Sequence, residues 1–219
     1  MRDHAYYFDT LYPWQDEVLA LLAKLDTGFY LTGGTAASRR YLHHRFSDDL
    51  DFFVNDHPLF ILWAERLIQA LAQRPFWTCQ VINKDERFVR LLLQHGAETL
   101  KIELVNDVPA HTGQIEQHPT WGQVDSAENI LANKITAVLG REEPKDLADI
   151  WGFCCQMDLS LTEALENAHS KAAGVFAPDL ARALFGVSRA DWQVVRWINP
   201  PDADKFVTDL RQLAERLLL

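Results

Sequence analysis

Two short runs restrict the fold of this chain more than anything else in it. The first is Leu31-Thr32-Gly33-Gly34-Thr35. The second, after one predicted helix, is Asp49-Leu50-Asp51-Phe52-Phe53. Phe29-Tyr30-Leu31 reads as a strand, Gly33-Gly34 as a tight turn, and Thr35 to His43 as a helix that begins at once. Asp49 to Val54 is a short, strongly apolar run around two acids, which predicts a buried strand. Side chains alternate along a strand, so Asp49 and Asp51 share one face while Leu50 and Phe52 point to the other.

Two carboxylates side by side on such a strand repel each other and are costly to leave unpaired. A cation belongs between them. Hard ions such as Mg²⁺ take oxygen ligands and are bound by one or two carboxylates together with substrate phosphates. The glycine pair lets the backbone approach a ligand closely. The helix that follows aims free N–H groups and a positive dipole end at the same place. Gly33, Gly34 and Thr35 therefore read as a phosphate cradle beside a divalent-metal site. Glu103, on the predicted strand Thr99 to Val105 with Lys101 as its same-face neighbour, can join Asp49 and Asp51 if the strands are adjacent. It would then help to deprotonate an acceptor hydroxyl.

The rest of the chain fits an α/β (α+β) fold with a small mixed sheet. Helices are predicted at Pro13 to Lys24 and Pro58 to Leu71, and a strand meander over Trp77–Ile82, Arg87–Gln94 and Thr99–Val105. From Asp125 onward only helices are expected. Asp125 with Glu128 has the form of a capping box, and Gly140 would close that helix. Others follow from Pro144 through Cys155, after Ser160, over Pro178–Phe185 and over Asp202–Leu218. The Pro109 to Pro119 stretch separates a core, residues 1–110, from a helical part, residues 120–219, with the active site expected in the cleft between them.

A wider pattern now has a recognisable form. Gly33-Gly34-Thr35-Ala36, then His44-Arg45-Phe46-Ser47 ahead of the Asp49/Asp51 strand, then Lys101-Ile102-Glu103-Leu104, Lys134, Arg141, Lys145-Asp146-Leu147 and Asp149 together resemble the AbiEii/AbiGii toxin family. That family has the polymerase-β-like nucleotidyltransferase fold and contains the toxins of type IV toxin–antitoxin systems. The resemblance covers residues 28–151. It implies transfer of a nucleoside monophosphate from an NTP to a hydroxyl acceptor, which is an RNA (some members modify tRNA acceptor ends), a protein or a small molecule. It also implies two Mg²⁺ ions on the carboxylates, Gly34 and Thr35 on the β- and γ-phosphates, Lys134 neutralising phosphate charge from the helical half, and a cognate antitoxin on a separate chain. Arg45 and Lys145 join the expected nucleotide contacts. For Arg45 a carboxylate partner is an equal reading. Arg141, Lys145, Asp146 and Asp149 could equally form a structural salt-bridge network. The other reading of the whole is a binding module that keeps the fold without turnover.

Composition excludes some alternatives. The 31 Asp+Glu against 21 Lys+Arg leave a charge of −10, which argues against broad electrostatic attraction to nucleic acid. The local exception is the basic cluster Arg39, Arg40, His43, His44 and Arg45, either a solvated helix face or an acceptor patch. No apolar run approaches a membrane span. Met1-Arg2-Asp3-His4 leads into no apolar signal region, so the expected compartment is the cytoplasm. Cys79, Cys154 and Cys155 lack metal-binding spacing and are expected as reduced core thiols. Asp48 alternates away from its acidic neighbours and is expected to be solvated or paired with arginine. The seven Trp are expected in the core.

Overall fold

A computed structural model describes residues 4–141 and 143–219. Met1 to Asp3, on which the reading of a leader rests, lie outside the described residues. The chain divides into two compact units. The first comprises Met1–Ala36 and Ser47–Asp125, the second Ala37–Phe46 and Ser126–Leu219.

The first unit is built on a seven-stranded mixed sheet. Its helical entry runs α1 (His4–Tyr6), a π-helical turn (Tyr7–Leu11) and α2 (Tyr12–Leu22). Then come β1 (Tyr30–Thr32), a one-turn α3 (Gly33–Thr35), β2 (Leu50–Asn55), α4 (Phe60–Ala72), β3 (Trp77–Lys84), β4 (Phe88–His95), β5 (Glu98–Asp107), β6 (Glu116–His118) and β7 (Gly122–Val124). The strand order is β3-β4-β5-β2-β1-β7-β6. β3, β4 and β5 form the predicted antiparallel meander. β2 lies antiparallel to β1 and parallel to β5.

Period-two burial assembles the core of this unit. Leu50, Phe52 and Val54 of β2, Leu100, Ile102 and Leu104 of β5, and Val89, Leu91 and Leu93 of β4 are all buried on one face. On α4, Phe60, Ala64, Leu67 and Leu71 recur at helical spacing and are buried. Each fully buried side chain of this size contributes about 1.5–3 kcal/mol. Asp51, Phe53, Lys101 and Glu103 belong to the opposite, more open face.

β6 and β7 were not expected. Both are three residues long, and Glu116-Gln117-His118 carries no apolar alternation to betray it. β7 is fixed instead by a parallel pairing of Val124 with Leu31 of β1.

The second unit is helical: π-helical turns within Ala36–Leu42, α5 (Ala127–Arg141), α6 (Pro144–Trp151) continuing as a π-helical turn (Gly152–Gln156), α7 (Leu161–His169), α8 (Ala177–Phe185), α9 (Arg189–Val194) and α10 (Ala203–Leu217). Ser160 caps α7 as predicted, its side chain accepting from the Glu163 N–H. Two expectations are corrected. Ser126, not Asp125, meets the first turn of α5, its Oγ accepting from the Asn129 N–H at 3.1 Å. α5 also runs through Gly140 to Arg141. The rings of Trp151, Trp197 and Phe206 meet edge-on at 5.6–6.3 Å and form an aromatic centre. Of the cysteines only Cys154 is buried. Cys155 is exposed and Cys79 intermediate, so the expected core location fails for Cys155. Among the described residues, no helix is long and apolar enough to cross a membrane.

Candidate active site

The glycine turn and the acidic strand are packed directly on each other. Thr32 of β1 is the Cα partner of Asp51 on β2. The next residue, Gly33, has φ +65°, a left-handed conformation that suits glycine. A Cβ built on Gly33 would fall 2.1 Å from Asp51 Oδ2. Thr35 is fully buried, and its hydroxyl donates to the Asp49 main-chain carbonyl at 2.5 Å and lies 3.0 Å from Ser47 Oγ. The hydroxyl expected at a phosphate therefore serves here as a strut between the turn and the strand. Further support comes from the N-terminal helices. Gln15 Nε2 donates to the carbonyls of Ser47 and Asp48, and the Tyr7 hydroxyl donates to Asp48 Oδ1 at 2.8 Å. Asp48 thus accepts from a tyrosine, a partner that sequence reading did not suggest.

Register brings the third acid alongside. β2 and β5 are parallel with Asp51 opposite Glu103, and β4 places Arg90 opposite Glu103 on the other side. Lys101 Nζ stands 2.9 Å from Asp49 Oδ2 and 3.3 Å from Glu103 Oε1. Arg90 donates from Nε to Glu103 Oε1 at 2.7 Å. Partial burial disfavours the Lys101 charge. The hydrogen bond to Asp49 and the negative fields of Asp49, Glu103 and Asp51 outweigh it, so the Lys101 pKa is raised.

Among the described residues, no three carboxylate, imidazole or thiol groups are already gathered as a metal cage. The donor set nevertheless fits a hard divalent ion: it is all oxygen, it is anionic, and Asp49 and Glu103 already converge on one cationic nitrogen.

A neighbouring cluster escaped sequence reading. Asp125 is fully buried at the end of β7, where Oδ2 accepts from the Thr32 hydroxyl at 2.5 Å and Oδ1 lies 2.9 Å from His111 Nε2. It fixes the residue that opens the glycine turn. Its proximity to an apolar helical run made it look like a cap, and a parallel pairing one residue earlier redirects it. Arg90 was missed as well, because an arginine alternating with buried leucines looks like ordinary strand surface.

Within the second unit, six residues of the sequence pattern converge on a buried ion network. Arg45 grips Asp149 with two prongs, Nε to Oδ1 and NH2 to Oδ2, both at 2.7 Å. Lys134 Nζ sits 2.8 Å from Asp146 Oδ1 and 2.7 Å from Asp149 Oδ2. Arg141 Nε donates to Asp146 Oδ2 at 2.8 Å. His44 Nε2 lies 3.0 Å from Asp149 Oδ1. Burial works against the Asp149 charge, but Arg45 and Lys134 overcome it and hold its carboxyl well below the usual range. Burial likewise opposes the Lys134 charge, and Asp149 and Asp146 outweigh it and raise its pKa. For His44 burial prevails and lowers the pKa, so the ring is neutral. Asp146 and Asp149 are therefore the carboxylate partners of Lys134, Arg45 and Arg141. Lys145 is more exposed and pairs with Glu143 at 2.8 Å. Arg45 and Lys145 both line a recess of about 290 Å³ with Phe46 and Arg196. In the basic cluster, Arg40 lies over the Tyr41 ring, and His43 takes a left-handed backbone.

A family model described as the nucleotidyl transferase AbiEii toxin of type IV toxin–antitoxin systems matches residues 18–210. Solved structures share the fold at low sequence identity. MenT4, a nucleotidyltransferase toxin from Mycobacterium tuberculosis, aligns at TM-score 0.66 and 19% identity over 99% of this chain and 86% of that one. JHP933 from Helicobacter pylori aligns at TM-score 0.64 and 18% identity, over 99% and 93%. The antibiotic-resistance factor ANT(2'')-Ia aligns at TM-score 0.51 and 14% identity, over 74% and 91%. No curated protein matches the sequence.

Proposed function

The chain belongs to the AbiEii nucleotidyltransferase toxin family, and from that membership we propose that it moves a nucleoside monophosphate from an NTP to a hydroxyl of an RNA, protein or small-molecule acceptor, with Mg²⁺ held by Asp49, Asp51 and Glu103. The observation that carries this reading is the convergence of Asp49 and Glu103 on one ammonium, with Asp51 facing Glu103 across β2 and β5 and packed on the glycine turn. When bound, magnesium neutralises triphosphate charge and acidifies the attacking hydroxyl. The chain's own part is orientation. Gly34 leaves the backbone bare for phosphate oxygens, Gly33 admits Asp51 against the turn, and Thr35 fixes the turn to the Asp49 main chain. The acceptor oxygen forms its bond to the α-phosphorus as the bond to the β-phosphate bridging oxygen breaks. Pyrophosphate leaves, and Glu103 takes the acceptor proton. A cognate antitoxin is the proposed protein partner.

The test is incubation with each α-labelled NTP, Mg²⁺ and total cellular RNA and protein, with an Asp49→Ala/Asp51→Ala double variant as control. Label in an RNA or protein band that disappears in the control supports transfer and names acceptor class and base together. Label in no macromolecule and no small acceptor would leave the silent-module reading. Glu103→Gln is expected to lower transfer strongly with NTP binding largely kept.

A further inference from the structure

The carboxylates that would hold a divalent ion already hold a cation of the chain's own. Lys101 projects from β5 one same-face position before Glu103, and its ammonium lies within 3.3 Å of carboxylate oxygens from both Asp49 and Glu103. Lys101 and Asp49 are only 36% and 37% exposed, and Glu103 18%. Half-exposed ion pairs of this kind contribute little to folding, so stability gives little reason for the arrangement. Geometry gives a better one. Asp49 and Glu103 both present carboxylate oxygens to the one ammonium, which offsets their mutual repulsion.

We propose that Lys101 is a tethered counter-cation that occupies the divalent-ion position between Asp49 and Glu103 and yields it only when nucleotide arrives with the ion. This inference rests on the transferase reading above. Lysine suits the task, being a compact point charge on a flexible four-carbon stem. Arg90, on the far side of Glu103, keeps that acid oriented while Lys101 swings away. A bare divalent ion must displace the ammonium and then tolerate it nearby, which weakens binding. A triphosphate brings negative charge that takes up the released ammonium. Metal and nucleotide occupancy are thereby coupled, each strengthening the other.

The experiment measures Mn²⁺ affinity by EPR, with and without a non-hydrolysable NTP analogue, for the wild type, Lys101→Met, Lys101→Gln and Lys101→Arg. Removing one positive charge a few ångströms from a half-exposed site is expected to tighten nucleotide-free Mn²⁺ binding about tenfold in the Met and Gln variants. The strengthening by the analogue should shrink in the same two. The Arg variant, which keeps the charge, should retain the wild-type pattern. Circular dichroism establishes that the variants are folded, and the Gln variant serves if the Met variant is not. Equal or weaker nucleotide-free Mn²⁺ binding in the folded Met or Gln variant overturns the role given to Lys101 and leaves the transferase reading standing. No Mn²⁺ binding in any form, with or without analogue, overturns both.

Discussion

The Asp51 carboxylate occupies the space that a side chain on Gly33 would need. A Cβ there would come within 2.1 Å of Asp51 Oδ2 and 2.9 Å of Asp51 Cβ, and the Gly33 backbone sits at φ +65°. A glycine is therefore required twice, by conformation and by contact. Gly33→Ala is expected to cost about 1–2 kcal/mol from the left-handed backbone alone and to push Asp51 off its position. Transfer should fall at least a hundredfold in a variant that still folds. The check is a urea unfolding curve beside the labelled-NTP assay; an alanine variant of near wild-type rate would show that Asp51 has room to move.

Thr35 joins the same two segments through one hydroxyl. Thr35→Val is nearly isosteric but leaves the part-buried Asp49 carbonyl without its donor, which costs up to about 1–3 kcal/mol. Thr35→Ser keeps the donor and should restore most of the loss. Thermal unfolding of the three forms decides it. If Val matches the wild type, the strut carries no energy.

The open faces of Asp51 and Glu103 were legible in the sequence because alternation along each strand is a local rule; Asp49, predicted as the first residue of its strand, lies just before β2. What was not legible depends on register between strands far apart in the chain. Nothing near Asp125 announces Thr32 or His111 as partners, and nothing near Arg90 announces Glu103. The polar strand Glu116–His118 has no pattern of its own. Nor does local patterning reveal that Ala37–Phe46 packs with the residues after Ser126, since its helix is continuous with the glycine turn.

Asp149 is the hub of the ion network, meeting Arg45, Lys134 and His44 with no exposed surface. Asp149→Asn keeps the shape and removes the charge, leaving two buried cations with Asp146 as the main remaining acid. Breaking a buried pair from one side costs about 3–5 kcal/mol. The expected result in urea is a lower midpoint with an unchanged slope. A loss below about 1 kcal/mol would mean that the network relaxes around the missing charge.

His44 should make stability depend on pH in one direction. Its ring is fully buried between Asp149 and the Trp197 ring, with Arg45 and Lys134 also near, and its pKa is lowered chiefly by burial. With the proton on Nε2 facing Asp149, Nδ1 is left without a hydrogen-bond partner among the described residues. An unfolded histidine titrates near 6.5. As pH falls from about 7.5 to 5, the unfolded chain takes up a proton that the folded chain refuses, so stability falls with pH, by at most about 1.4 kcal/mol per unit for this one group. Asp149 acts in the same sense lower down: its depressed pKa stabilises the fold above the unfolded aspartate value near 3.9, and that contribution is lost as pH falls through the folded value. His44→Gln can still donate to Asp149 but does not titrate. Its melting temperature plotted against pH between 5 and 7.5 should be shallower than that of the wild type, while both curves extended below about pH 4 keep the acid limb from Asp149. Parallel curves over that range would mean that folding leaves the His44 titration unchanged and would place the proton uptake elsewhere.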